Sequence, residues 1–243
     1  MSAMLLFPPD GRLSDYESQA GNRVHTQRIS RLPENRPMPD LAPFSRRDVE
    51  LVAKETPFHR FFRVDTYHLR HPLFEGGLSP VVQREVFERG QSACCLPYDP
   101  VRDEVVLIEQ FRPGALAAGD PRPWLIEAPA GIVETGETPE DVVRREAVEE
   151  AGCAITDLEF VMNLYPSPGC TSERVAMYIG RTSSQGAGGI HGLDNEAEDI
   201  RVFTLPFDEA IRLVDEGKAQ TSAGAILILW LALHRDALRA KWR

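Results

Sequence analysis

The densest chemistry in the chain lies between Gly131 and Cys153. It reads Gly131-Ile132-Val133-Glu134-Thr135-Gly136-Glu137, then seven residues, then Arg145-Glu146-Ala147-Val148-Glu149-Glu150-Ala151-Gly152-Cys153. On a helix Glu146 and Glu150 share a face, and Glu149 lies near the same edge. Like charges at that spacing cost a few tenths of a kcal/mol. Glu149 and Glu150 also fall in the last turn, at the negative end of the helix dipole, which costs roughly a further 0.3–1 kcal/mol each. A solvated acidic face braced by Arg144 and Arg145 is the plain alternative, since charge runs are usually solvent faces. The glycines that shape the approach, Gly131 and Gly136, and the crowding of acids at the unfavourable helix end speak against it. Clustered carboxylate oxygens are the donors that a hard cation such as Mg²⁺ requires.

The elements that must carry these groups can be read from pattern. The spacing predicts a helix starting at Thr138: a threonine N-cap, Pro139 at the first helical position, and Glu140 and Asp141 at the positive end of the dipole. Val143, Ala147 and Ala151 form its apolar face, and Gly152 stops it. Ahead of it, residues 48–52 and 61–69 read as strands. Glu85 to Pro97 and Glu104 to Phe111 read as a strand pair turned at Pro97-Tyr98-Asp99-Pro100. Strands follow near 158–164 and 176–179, with a Gly-rich loop from Ser183 to Gly192, expected to be mobile and to deliver the acids after it. A strand at 200–205 and helices at 207–216 and 222–239 close the chain. The apolar run Ala223 to Leu233 is too short to span a bilayer and reads as a buried helix. The fold class expected is α+β, a mixed sheet with helices packed on it. Six prolines between Pro8 and Pro43 break any pattern in residues 1–45, which read as an extension with little structure of its own.

The whole-chain balance narrows the function. Of 243 residues, 37 are acidic and 27 basic, a formal net charge of −10. That disfavours sequence-independent nucleic-acid binding and would repel an anionic substrate unless a metal or a local arginine cluster intervened. Cys94, Cys95, Cys153 and Cys170 form no CxxC pair, and neighbours on a strand would face opposite ways, so neither a zinc site nor a disulfide framework is expected. A reducing, cytoplasmic setting fits. The early apolar run from Met4 to Phe7 is cut off by Pro8-Pro9, unlike a signal peptide.

The segment from Gly131 to Cys153 resembles the box of the Nudix hydrolase superfamily, Gly-x5-Glu-x7-Arg-Glu-U-x-Glu-Glu-x-Gly-U with U apolar, at every fixed position. Ala147 is a small choice for the first U. The resemblance extends from about residue 48 to the C-terminus, where the chain looks like bacterial ADP-ribose pyrophosphatases. The segments that carry it are Glu109-Gln110-Phe111-Arg112, Pro123-Trp124-Leu125-Ile126-Glu127, Ser167-Pro168-Gly169 with Thr171-Ser172-Glu173-Arg174, and Glu196-Ala197-Glu198-Asp199-Ile200-Arg201-Val202. A proline at a set distance beyond the box marks ADP-ribose preference in the superfamily, and Pro166 and Pro168 bracket that position.

The resemblance implies an α/β/α sandwich with a mixed sheet at residues 97–243, preceded by a strand region at 46–96. It implies two or three Mg²⁺ ions, with Mn²⁺ an alternative, held by Glu146, Glu150, Glu198 and the carbonyl of Ala130. Arg145 would orient the glutamates and Glu137 would anchor the loop. Glu149 would be a further ligand or a structural acid. The base lies on the box helix in some members and on a later loop in the ADP-ribose group. Glu196 is therefore assigned as base and Glu198 as ligand, with the reverse, or a role for Glu149, as alternatives. Phe61, Arg84, Glu85 and Arg112 match positions lining the ADP-ribose pocket; taken alone, Phe61 would read as core and Arg84 as strand surface. The implied reaction is hydrolysis of a nucleotide-sugar diphosphate, ADP-ribose to AMP and ribose 5-phosphate, with GDP-mannose or ADP-glucose as alternative substrates. A non-catalytic ADP-ribose sensor would be expected to have lost box acids, and all are present. The implied assembly is a homodimer exchanging roughly residues 48–89, so that each site draws on both chains.

Overall fold

A computed structural model describes residues 43–243. Nearly all of the stretch read as an N-terminal extension lies outside the described residues. Two sheets are present. The smaller is antiparallel, in the order β1 (Glu50–His59), β2 (Arg63–Arg70), β3 (Val82–Glu88). The larger contains β4 (Ser92–Asp99), β5 (Glu104–Phe111), β6 (Trp124–Glu127), β7 (Ala130–Ile132), β8 (Asp157–Leu164), β9 (Val175–Arg181), β10 (Gly189–His191) and β11 (Ile200–Pro206). Its order is β10-β11-β5-β4-β9-β8, with β6 on β5 and β7 on β4, and it is mixed because β4 and β9 run parallel. Helices α1 (Pro113–Ala117), α2 (Pro139–Glu149), α3 (Phe207–Asp215) and α4 (Ser222–Trp242) complete the chain.

The large sheet is buried on both faces, and strand alternation divides its side chains between two layers. Cys94, Leu96 and Tyr98 of β4 point to the core shared with Phe207, Leu227, Ile228 and Leu231 of α3 and α4. Ala93 and Cys95 point the other way, to Val142, Val143 and Ala147 of α2. The expected α+β sandwich with a mixed sheet is the observed fold, and Cys94 and Cys95 face opposite ways as their adjacency requires.

The strand read as Glu85–Pro97 is in fact two. The chain breaks at 89–91, where Gly90 has φ +85°, and β3 and β4 belong to different sheets. The change of sheet thus comes before β4, whereas the division drawn at 96/97 passes through that strand. The stretch 183–192, read as loop, holds β10, paired with β11 through Gly189–Val202 and His191–Ile200. Strands β6 and β7 had no counterpart in the sequence pattern. The run Ala223–Leu233 lies in α4 but is buried on one face only: Leu227 and Leu231 are inaccessible, whereas Leu229 and Leu233 are 49% and 64% exposed.

One local irregularity builds the cleft. β4 and β5 pair only at their hairpin end, Tyr98–Val105 and Asp99–Glu104. They then splay, and the gap is filled by β7 on β4 and β6 on β5. The connection between β6 and β7 is thereby carried to the C-terminal end of α2.

The small sheet is one layer thick, and every residue of β1 is exposed. Its central buried acid, Asp65, is covered by its own neighbours: Lys54 at 2.8 Å, Arg63 at 3.0 Å and the Thr56 hydroxyl at 2.7 Å. The hydrogen bond from Lys54 is the main reason its pKa falls to about 2. The sheet joins the rest of the chain at β3, where Phe87 N–H donates to the Cys170 carbonyl at 2.8 Å and Arg89 pairs with Glu173 at 2.7 Å.

Candidate functional site

Helix α2 starts where its sequence requires. Thr138 Oγ1 accepts from Asp141 N–H at 3.2 Å while Asp141 Oδ2 accepts from Thr138 N–H at 3.0 Å, a reciprocal capping box, with Pro139 following. Burial of Val142, Val143 and Ala147 fixes the helix rotation, and that rotation turns Glu146 and Glu150 toward the β6–β7 connection.

Glu150 is only 3% exposed. Its carboxylate accepts the Ala130 N–H at 2.8 Å and lies 3.4 Å from Gln110 Nε2 of β5. Burial pushes its pKa up to about 8, and the charges of Glu146 and Glu198 add to the rise. Glu146 is raised chiefly by burial, then by Glu149 and Glu198, against the lowering effect of Arg145. Gly131 is needed for space: a Cβ there would lie 1.7 Å from Glu146 Oε1. Arg145 spans three acids, Glu137 at 3.1 Å, Glu146 at 2.7 Å and Glu149 at 3.1 Å. Glu137 also accepts the Glu134 N–H at 3.2 Å, tying the loop from Glu134 to Glu137 to the helix through one guanidinium.

The structure therefore gathers Ala130, Arg145, Glu146, Glu149, Glu150 and Glu198 at the C-terminal end of α2. Arg112 joins them: it lowers the pKa of Glu150 through space and is paired with the partly buried Glu127 at 2.6 Å. Glu198 turns back on its own loop, accepting the Leu193 N–H at 3.1 Å. Glu196 ends an exposed 3-10 turn, Asp194–Glu196, and is followed by Ala197 in the left-handed region at φ 55°. Phe61, Arg84 and Glu85 sit apart, on the small sheet and its β1–β2 turn. Phe61 is 85% exposed, so its ordinary reading as a core residue does not hold. Among the described residues, the side chains of Arg84 and Glu85 hydrogen-bond only to Gln83. Among the described residues, no hydrogen bond or ion pair joins these three to the box acids.

Among the described residues, no group of three His, Cys, Asp or Glu side chains is close enough to hold an ion as it stands. The reason is visible in the contacts. Glu146 is drawn to Arg145, Glu150 to Ala130, and Glu198 to Leu193, so each carboxylate has found a protein donor and the three stay apart as like charges do. The donor chemistry nevertheless fits a hard cation. The acids are oxygen donors, two are part or fully buried, and their mutual repulsion is relieved by a positive charge between them. A hollow of about 520 Å³ at the hairpin end of β4, lined by Asp99, Arg102, Arg181 and Gln185, shares no residue with this cluster.

Three contributors escaped the sequence reading. Gln110 and Glu127 lie within segments singled out there, but the register of β5 against β6 that turns them to the cleft appears only in the fold. His191, which packs against Gly152, carried no signal in its spacing.

Comparison with known proteins gives a consistent picture. A family model described as "NUDIX domain" matches residues 88–224. The ADP-ribose pyrophosphatase of Escherichia coli (strain K12) is 47% identical over 210 residues, covering 86% of this chain and 98% of that protein. The ADP-ribose pyrophosphatase of Haemophilus influenzae is 38% identical over 208 residues, covering 85% and 96%. The GDP-mannose pyrophosphatase of Enterobacter sp. (strain 638) is 36% identical over 152 residues, covering 62% and 78%. Among solved structures, an ADP compounds hydrolase superposes with a TM-score of 0.60 at 19% identity, covering 81% of this chain and 97% of that one, a likeness of fold.

Proposed function

The chain belongs to the NUDIX domain family and is a pyrophosphohydrolase, and on that premise we propose that it hydrolyses the diphosphate of ADP-ribose to AMP and ribose 5-phosphate with Mg²⁺. The observation that carries the reading is the cluster of Glu146, Glu150 and Glu198 beside Ala130, with Glu146 and Glu150 both raised by burial and by the charge of Glu198. ADP-ribose is favoured over GDP-mannose because the ADP-ribose pyrophosphatase relative matches nearly end to end, whereas the GDP-mannose relative matches a shorter span at lower identity.

Glu146, Glu150, Glu198 and the Ala130 carbonyl would hold the metal, which when bound supplies charge neutralisation to the diphosphate. Arg145 holds Glu146 in place against the repulsion of Glu149 and Glu137. Arg112 would donate to a phosphate oxygen, loosening its pairing with Glu127. Glu196, exposed and, among the described residues, without a side-chain hydrogen bond or ion pair, is assigned to take the proton of the attacking water, with Glu149 as the alternative. No covalent nucleophile is required, since the work is positioning and electrostatics. Residues 1–45 are assigned as an extension and the small sheet as the dimerisation and adenosine-side region, with the hydrolase domain following. Four free cysteines suit a cytoplasmic setting, and no helix among the described residues is long and apolar enough to cross a membrane.

Turnover of a panel of nucleotide sugars with and without Mg²⁺ tests the assignment. ADP-ribose should be the best substrate, and chelation should abolish the reaction. GDP-mannose turned over far faster than ADP-ribose would overturn the substrate.

A further inference from the structure

We infer that His191 is a positioning residue that seats the loop of Glu196 and Glu198 on the C-terminal end of the box helix. His191 closes β10, and the Cε1 corner of its ring packs against Gly152. A Cβ at Gly152 would come within 2.6 Å of His191 Cε1 and 3.3 Å of Nδ1. The box glycine is thus required twice, for its left-handed φ of 62° and for the space the imidazole occupies. The ring is held within its own segment by Nε2, which donates to the Gly188 carbonyl at 3.0 Å. The next residue completes the joint: Gly192 N–H donates to the Glu149 carbonyl at 3.2 Å, satisfying one of the acceptors a helix end leaves open.

From this joint the geometry runs directly to Glu198. A Cβ at Gly192 would lie 2.6 Å from Glu198 Cβ, so the two residues are in direct contact. Leu193 N–H donates to Glu198 Oε2 at 3.1 Å, and Glu198 N–H donates back to the Leu193 carbonyl at 3.3 Å. The path Gly152, His191, Gly192, Glu198 therefore sets the distance between an acid on the helix, Glu150, and an acid on the loop. No other hydrogen bond among the described residues ties residues 191–198 to α2. Loss of the ring would leave the loop joined to the helix by the single Gly192 bond.

The inference rests on the diphosphatase reading, and its test separates the two. His191→Ala should lower kcat for ADP-ribose about tenfold or more with KM changed less than about twofold, because small misplacement of reacting groups is costly. In the metal-free protein the amides of Gly192 and Leu193 should exchange about tenfold faster or more, a readout that needs no substrate. His191→Gln, which keeps an N–H for the Gly188 carbonyl, should restore most of both, while His191→Leu should not. Gly152→Ala, which displaces the ring from the other side, should reproduce the loss of kcat in samples shown by circular dichroism to be folded. Unchanged exchange and kcat in His191→Ala would overturn the inference. So would equal loss in the Ala, Gln and Leu variants in step with the folded fraction, which would make the ring a packing group only. If the unaltered protein does not hydrolyse ADP-ribose, the diphosphatase reading fails instead, and the exchange data still report on the joint.

Discussion

Glu150 shows how far a single residue can be read before the fold is known. Its type and spacing mark it as one acid of a crowded pair at the unfavourable end of a helix, a cost of tenths of a kcal/mol for each effect. The fold adds the larger penalty, burial to 3% exposure, which raises its pKa to about 8. The sign of the consequence follows from linkage. A folded pKa above the ordinary value of 4.5 means the folded state binds the proton more tightly than the unfolded chain. The resulting stability is fully present below that ordinary value and is lost as pH rises through about 8. Metal competes with the same proton, so the Mg²⁺ concentration needed for half-maximal rate should fall as pH is raised across that window. Glu150→Gln should lower kcat at least about 10²-fold by removing charge from the metal site. It should also leave the metal-free Tm unchanged or higher, and flatten its decline with pH, since the amide still offers an oxygen to the Ala130 N–H. Calorimetry of both proteins across that range, without metal, checks this; a variant less stable than the parent at pH 8 would show that the charge was not the burden. Glu146 and Arg145 were legible for the same reason as Glu150: a fixed spacing on one helix needs only helical geometry to become a cluster, whereas Ala130, on β7, was named only through the resemblance of the segment to the family's box. Gln110, Glu127 and His191 were not, because each reaches the cluster through strand pairings between distant parts of the chain.

At the scale of elements, the reading succeeded where local signals agree and failed where pairing decides. Helix α2 was legible from its ends, since cap, proline, acidic first turn and terminal glycine all act within one segment. The cap makes a clean test of stability without chemistry. Thr138→Ala removes the acceptor for the Asp141 N–H and should cost about 1 kcal/mol of unfolding free energy. The cap is at the far end of α2 from Glu150, so kcat should remain within about twofold of the parent, because a folded helix still presents its acids. Urea denaturation alongside turnover measures both; a large fall in kcat with stability intact would mean that the cap positions the site. Strands β6, β7 and β10 were illegible for a shared physical reason. They span four, three and three residues, among prolines or glycines, too few for a period-two pattern to register. They exist because a neighbour supplies the ladder: β5 for β6, β4 for β7, β11 for β10. The merging of β3 and β4 into one expected strand is the converse error. Both have suitable residues, and only the turn at Gly90 separates them. Because β10 lies inside the loop expected to be mobile, the stretch 193–198, beyond the joint at His191, is the part that lies outside the sheet.

At the scale of the molecule, the small sheet is the feature a single chain leaves unexplained. Leu51, Val52 and Phe58 of β1 are 57%, 51% and 47% exposed, and Phe61 and Phe74 are 85% and 87% exposed. A one-layer sheet with that much apolar surface is an unsatisfied edge and face, which a second copy of the chain would cover. The residues expected to line the adenosine side of the pocket, Phe61 and Arg84, sit on this sheet, away from their own chain's carboxylates. A homodimer that lays each small sheet against the partner would bring the two half-sites together. Subunit mixing separates this arrangement from a site built by one chain. Glu146→Gln and Phe61→Ala, each inactive at a chosen substrate concentration, are unfolded together and refolded. In a shared site, the mixed dimer has one doubly damaged site and one with both Glu146 and Phe61 intact. Random pairing makes about half the dimers mixed, each with one good site in two, so about a quarter of the parent activity should return. The expectation is specific to exchange across the dimer: in a site made from one chain every site keeps one lesion, and no activity returns however the chains pair. Mass spectrometry of the refolded sample, with one variant isotopically labelled, shows whether mixed dimers have formed. Mixed dimers without recovered activity would assign Phe61 to its own chain's pocket or remove it from the site, and would leave the exposed face of β1 to a structural role.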